Sequence, residues 1–133
     1  MGGVWPKYYT PVKGSVLEDD LRIGMERCDA IVVTGSGTGK ETPLDKIKKF
    51  REILSSSICS AHQTYDKDCR LCNSRINFPL IVGAGLTIDN AHEQLSIADG
   101  AIVGTAMKFD NNTMNKVDRS RVRDLMSIVK TIK

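Results

Sequence analysis

Phe78-Pro79-Leu80-Ile81-Val82-Gly83-Ala84-Gly85, followed by Ala98-Asp99-Gly100-Ala101-Ile102-Val103-Gly104-Thr105-Ala106, decides the fold. In each stretch a short, wholly apolar run stops on glycine. A strand buried on both faces has this pattern, because a parallel sheet covered by helices offers no polar face. Glycine falls where such strands end and the backbone must turn sharply or approach a ligand closely. Two adjacent tips of this kind form an anion cradle if the N–H groups of Gly83, Ala84, Gly85, Gly104 and Thr105 converge on a phosphate or carboxylate. The competing account, of equal weight, is that the glycines only permit tight turns.

The same unit occurs earlier in the chain. Cys28-Asp29-Ala30-Ile31-Val32-Val33-Thr34-Gly35 repeats the order of helix end, aspartate, apolar strand and Gly/Thr tip. Helical spacing fills the intervals. Leu17, Leu21, Met25 and Cys28 predict a helix over 16–27, opened by a Ser15/Glu18 capping box. Thr42 as N-cap and Pro43 at the first helical position open a helix buried through Leu44, Ile47, Phe50 and Leu54. Thr87 caps a third helix. Asp118 caps a fourth, buried through Val122, Leu125, Met126, Val129 and Ile132. Residues 4–12, with two prolines, form a first strand and its exit loop.

Helix and strand therefore alternate, the order that right-handed crossovers between parallel strands require. The fold class is α/β, and a doubly wound sheet and part of a (β/α)8 barrel both satisfy it. A whole barrel needs about 250 residues, and this chain has 133. They form one domain, a half-barrel in the second case.

The glycine-rich Thr34-Gly35-Ser36-Gly37-Thr38-Gly39-Lys40-Glu41 is not a P-loop. In G-x-x-x-x-G-K-S/T the first glycine would fall on Thr34 and the metal-binding hydroxyl on Glu41. The dinucleotide fingerprint fails as well, since Lys40 and Ile88 stand where its last glycine belongs. What remains is a generic phosphate or carboxylate site. Its candidate ligand-binding residues are Thr34, Gly35, Ser36, Thr38, Gly39, Gly83, Ala84, Gly85, Gly104 and Thr105. Catalytic side chains are scarce. Lys108 and Asp110, beyond the last strand, are the candidates: a Lys/Asp pair beside a phosphate can bind a sugar phosphate or polarise a carbonyl. An ordinary solvated loop has the same composition. Lys7 is a further strand-end cation, and His92 falls one position off its helix's apolar stripe.

Residues 57–77 interrupt the alternation, being long and polar for a connection that usually takes about 2–6 residues. They contain Cys59-x2-His62-x6-Cys69-x2-Cys72, four potential ligands of a structural zinc. The paired spacings suit zinc, but one His and three Cys in this order match no common finger, and a loop of reduced thiols reads the same. No other cofactor is indicated. Joining a helix to the next strand, the stretch lies at the face away from the strand C-termini, so zinc there would be structural.

Composition narrows the function classes. The chain is 41% hydrophobic and 26% charged, as soluble domains are, and no run approaches the ~20 apolar residues of a membrane span. The start lacks the pattern of a signal peptide. An intracellular site is expected, cytoplasmic by default, with mitochondrion and plastid left open. The net charge is +3, and residues 116–133 alone carry six basic residues against two acids, so the rest of the chain is near neutral. With 5% aromatics not interleaved among them, the pattern fits a solvated helix face and not a nucleic-acid surface.

These tracts resemble the BtpA/SgcQ family of TIM-type barrels. The resemblance rests on Asp29-Ala30-Ile31-Val32-Val33-Thr34-Gly35 with Thr38-Gly39 and on Ile81-Val82-Gly83-Ala84-Gly85-Leu86-Thr87 with Asn90. A third block runs Ala98-Asp99-Gly100 through Gly104-Thr105, with Lys108, Asp110, Asn115, Val117-Asp118 and Arg121-Val122. Lys7 and Pro11 match a Lys-His-x-x-Pro pattern, with Tyr8 in place of His. The Cys/His stretch departs from the family pattern. The resemblance implies the C-terminal half of a ribulose-phosphate-binding type of barrel, with a phosphorylated small molecule (a sugar or nucleoside phosphate) bound at the strand C-terminal face. A lyase, isomerase or transferase would follow. It implies equally a non-catalytic assembly factor, as in photosystem I biogenesis, or a truncated inactive form. Half a barrel exposes sheet edges, so a homo-oligomer or a partner chain is expected.

Overall fold

The computed structural model describes residues 1–56 and 78–132. Their order is β1 (Gly2–Gly3), α1 (Leu17–Arg27), β2 (Ile31–Val33), α2 (Leu44–Ser56), β3 (Leu80–Val82), α3 (Ile88–Leu95), β4 (Gly100–Ala101) and α4 (Arg119–Ile132). Two 3-10 turns, Thr105–Met107 and Phe109–Asn111, lie between β4 and α4. The strands form a single parallel sheet in the order β1-β2-β3-β4, with Ile31 against Leu80 and Val82 against Ala101.

This topology decides between the two architectures. A doubly wound sheet reverses its strand order and carries helices on both faces. Here the order is sequential and the helices share one face. Ile31, Val33, Leu80 and Val82 point into a core with Leu21 and Met25 of α1 and Ile47, Phe50 and Leu54 of α2. Ala101, on the same face, packs into a second cluster with Leu86 and Ala91 beside α3 and Leu125 of α4. Consecutive parallel strands with helices outside them are the units of a (β/α) barrel.

Only one sheet face is fully covered, which corrects the expectation of strands buried on both. Val32 and Ile81 point the other way and are half-buried, and Ile102 is 50% exposed. A barrel's inner face is filled by side chains from all its strands, and the four strands among the described residues supply only part of them.

Several local expectations shift for physical reasons. The first strand is Gly2–Gly3, and the segment after it is irregular, with Trp5 and Tyr8 at positive φ. Helix α1 is capped at Val16 without a side-chain bond, so the Ser15/Glu18 box does not form. The Thr42 hydroxyl donates to the Ala84 carbonyl at 2.9 Å and ties two loops together. On α4, Leu125 is buried, whereas Val122 and Met126 are 36% and 45% exposed.

Asp118 does cap α4. Its carboxylate accepts from the Ser120 amide at 2.8 Å and the Ser120 hydroxyl at 2.6 Å. These bonds hold the Asp118 carboxyl below the usual aspartate range. A depressed carboxylate stabilises the fold above its unfolded pKa of about 3.9, and that contribution is lost as pH falls through the lower folded value. The protection of amides in the first turn of α4, relative to their intrinsic exchange rates, is therefore expected to fall below about pH 4, before the sheet loses protection.

Candidate functional site

The C-terminal ends of the four strands share one face, and the segments that follow them build a cleft of ≈ 550 Å³. After β3 come Gly83–Thr87, and after β4 come Gly104–Ala106, with Lys108, Asn111 and Thr113 beyond. Thr38 and Gly39 enter from the segment after β2, and Lys7 from the one after β1. Each of these segments contains a residue at positive φ: Trp5 and Tyr8, Gly39, Gly85, and Asp110 with Asn111. Such conformations persist where the surroundings over-determine them, and they cluster at functional sites.

The loops are braced against one another. Gly85 has φ +71, and a Cβ there would lie 2.1 Å from the Lys40 carbonyl oxygen. Gly39 packs on Thr105, with a Cβ position 3.6 Å from its side chain. Gln94 of α3, almost fully buried, donates to Glu41 Oε1 at 3.1 Å and to the Thr42 carbonyl at 3.2 Å. Asn90 closes the start of α3 by accepting from the Thr87 amide at 2.8 Å and donating to the Gly85 carbonyl at 3.1 Å. Lys46 of α2 donates to the Thr34 carbonyl at 2.8 Å and the Trp5 carbonyl at 3.3 Å. Burial pushes its ammonium pKa below the usual lysine value.

At one wall, Lys7 Nζ donates to the Thr38 hydroxyl at 3.1 Å, and the Thr38 amide donates to the Tyr8 phenol oxygen at 2.8 Å. The side-chain hydrogen bond between Thr38 and Tyr8 at 3.1 Å and the bond from the Thr38 amide, with Lys7 and Lys40 nearby, lower the Tyr8 pKa. At the other wall, Lys108 Nζ donates to the Thr113 carbonyl, and the Thr105 and Thr113 hydroxyls lie 3.0 Å apart. A lone antiparallel bridge between Lys108 and Val117 folds the 109–116 loop back and brings Thr113 there.

The cleft thus gathers Thr38, Gly39, Gly83, Ala84, Gly85, Gly104, Thr105 and Lys108. Other sequence candidates sit elsewhere. Thr34 is buried, its hydroxyl accepting from the Lys7 amide at 2.8 Å. Gly35 turns against the Glu41 carbonyl, and Ser36 is exposed outside the cleft lining. Asp110 also lies outside the lining, with Asn115 Nδ2 at 3.4 Å from its carboxylate. The Gly83 amide is committed to the Val33 carbonyl at 2.7 Å, so it is not a free donor for a ligand. Cys59, His62, Cys69 and Cys72 lie outside the described residues. Lining residues that were not among the sequence's ligand candidates are Leu86, Thr87, Ile102, Ala106, Asn111 and Thr113. The last two depend on the loop's return, which has no periodic signal.

Residues 57–131 match the BtpA family, and the chain belongs to it. The matched span takes in the Cys/His stretch. Among curated relatives, an uncharacterised protein of Methanocaldococcus jannaschii is 28% identical over 90% of this chain and 36% of its own length. One from Thermococcus kodakarensis is 32% identical over 87% of this chain and 37% of its own. The sgc region protein SgcQ of Escherichia coli is 28% identical over 79% of this chain and 31% of its own. The chain thus spans about a third of the length of the relatives it matches. No solved structure matches it. No helix among the described residues is long and apolar enough to cross a membrane.

Proposed function

We propose that the cleft binds a phosphorylated small molecule, a sugar or nucleoside phosphate, with its phosphate between the ends of β3 and β4. One observation carries this reading: among the described residues, the cleft lining contains two lysines, Lys7 and Lys108, four threonines and an asparagine, and no carboxylate. Such a surface donates hydrogen bonds and carries positive charge without a carboxylate beside it, so it favours an anion. Lys7 and Lys108 reach the anion as mobile point charges. Thr105 and Thr113 offer hydroxyls, and the backbone from Gly104 to Ala106 approaches without side-chain bulk. Placement at the strand C-terminal face agrees with where barrels keep phosphate sites. Chemistry beyond binding would fall to Lys108, as a cation that stabilises developing negative charge on a carbonyl or phosphoryl oxygen. Asp110 is not in reach as its partner in this conformation.

Differential scanning with inorganic phosphate, ribose 5-phosphate and ribose tests the reading. A ligand at a hundredfold excess over its Kd adds about 2.7 kcal/mol, which raises Tm by on the order of 10 °C for a chain of this size. Phosphate and ribose 5-phosphate are expected to shift Tm and ribose is not. In the Lys7→Met/Lys108→Met double variant the shift is expected to disappear while the unliganded Tm stays within a few degrees. Equal shifts in wild type and double variant, or none in either at millimolar ligand, would refute the assignment.

A further inference from the structure

We infer that the cleft takes a small molecule with two separated anionic groups, of the class of a sugar bisphosphate. One group is held by Lys108 with Thr105 and Thr113, and the second by Lys7 with Thr38. This rests on the phosphate reading above and divides its two cations between two positions.

The placement of the cations carries it. Lys7 follows β1 and Lys108 follows β4, with β2 and β3 between them. Neighbouring strands lie about 4.8 Å apart, so β1 and β4 are separated by roughly 14 Å, whereas a hydrogen bond to a phosphate oxygen spans only about 3 Å. Between the lysines runs a row of contacts. Lys7 Nζ donates to the Thr38 hydroxyl at 3.1 Å. Gly39, next in the chain, packs on Thr105. The Thr105 and Thr113 hydroxyls lie 3.0 Å apart, and the Thr113 carbonyl accepts from Lys108 Nζ. The lysines therefore stand at the two ends of this row, each beside a threonine that lines the cleft. A single phosphate gains the charge of Lys7 only by drawing it off Thr38. A ligand with an anion at each end meets both lysines where they rest.

Each end fits an anion on its own account. Lys7 is held by a hydroxyl and Lys108 by a carbonyl, neutral acceptors that an anionic oxygen displaces with a stronger bond. The ion pairs among the described residues involve neither lysine. The Lys7 end has a second cation nearby. Hydrogen bonds with Thr38 hold the Tyr8 phenol below the ordinary tyrosine pKa, and the charges of Lys7 and Lys40 add to that shift. Gly83, Ala84 and Gly85 add no charged side chain to the lining, which leaves that part of the cleft to the neutral carbon chain joining the two groups. A volume of ≈ 550 Å³ accommodates a whole small molecule of this kind.

Titration calorimetry with ribose 5-phosphate, ribose 1,5-bisphosphate, inorganic phosphate and pyrophosphate tests this on wild type and on the single variants Lys7→Met and Lys108→Met, with circular dichroism to check that each variant folds. Wild type is expected to bind the bisphosphate at least roughly tenfold more tightly than ribose 5-phosphate, the return on one further charge-assisted contact. Pyrophosphate, whose phosphates are adjacent and cannot span the row, controls for charge alone and is expected to gain less than about threefold over phosphate. Lys7→Met is expected to erase the bisphosphate's advantage and to leave ribose 5-phosphate within about threefold of wild type, whereas Lys108→Met weakens both by roughly tenfold. Equal affinities for the two sugar phosphates in wild type, which need no variant to measure, would overturn the two-anion assignment and leave the phosphate reading standing. So would a pyrophosphate gain as large as the bisphosphate's, or an advantage that survives Lys7→Met in a folded variant. Failure of folded wild type to bind any of the four compounds would refute both.

Discussion

Gly85→Ala is expected to cost about 3–4 kcal/mol, a large part of the roughly 5–15 kcal/mol that holds a domain folded. Two terms add. Gly85 has φ +71, and an L-residue in that region costs about 1–2 kcal/mol. The added Cβ would also stand 2.1 Å from the Lys40 carbonyl oxygen and 2.4 Å from Glu41 Cα. Those are backbone atoms held by the Thr42–Ala84 and Gln94–Thr42 hydrogen bonds, so the loops must part, at the further 1–3 kcal/mol typical of overpacking. Gly104→Ala is the informative contrast. Its Cβ meets nothing within 4 Å, so no loop has to part and the cost is expected to stay well below that of Gly85→Ala. Gly104 does line the cleft, and the new methyl group is expected to weaken any phosphate-dependent Tm shift. Urea midpoints for both variants, with and without phosphate, separate the roles. If Gly85→Ala costs under 1 kcal/mol, the loops are not locked as described.

This contrast bears on how far pattern alone could go. The apolar runs ending at Gly83 and Gly104 were legible because a strand's period and its terminal glycine are local properties. Parallel order followed from strict alternation. The face that stays uncovered was not legible, since Ile31-Val32-Val33 is apolar throughout and only the position of the helices separates Val32 from its neighbours. Glycine function was not legible either. Gly85 and Gly104 both lie in the glycine-bearing turns that follow a strand, yet a Cβ at one would strike another loop and a Cβ at the other meets nothing within 4 Å. Thr42 was read as a cap from its place before Pro43, and its hydroxyl instead crosses to Ala84, a partner 42 residues away. Lys108 was found because it follows a strand end. Asp110, two residues on, was paired with it by proximity in sequence, yet it lies outside the cleft lining while its neighbour Asn111 is part of it.

The opposite end of the sheet supplies the other large effect. Arg51 of α2 donates through Nε to the Ile97 carbonyl at 2.9 Å and through Nη1 to the Phe78 carbonyl at 3.1 Å. Through Nη2 it donates to Asp99 Oδ2 at 2.6 Å, the oxygen that also accepts from the Leu80 amide at 2.8 Å. One guanidinium therefore fixes the entry to both β3 and β4, using the planar, multi-donor geometry that lysine lacks. Arg51→Met keeps the stem's packing and removes every one of these donors. The Arg51 side chain is 25% exposed and that of Asp99 50%, so water recovers part of the loss. The cost is expected to be about 2 kcal/mol, within the range for losing charge-assisted hydrogen bonds that solvent partly replaces. Asp29, which occupies the matching place before β2, is exposed, and Asp29→Asn is expected to stay within about 0.5 kcal/mol. In a barrel, residues at the strand N-terminal face serve stability and those at the C-terminal face serve ligands. Arg51→Met should accordingly lower the urea midpoint without changing the Tm increment that phosphate adds to the folded fraction. A loss of that increment in a variant that still folds would show that the two ends of the sheet are coupled, and a midpoint shift below 1 kcal/mol would show that solvent replaces Arg51 at both strand entries.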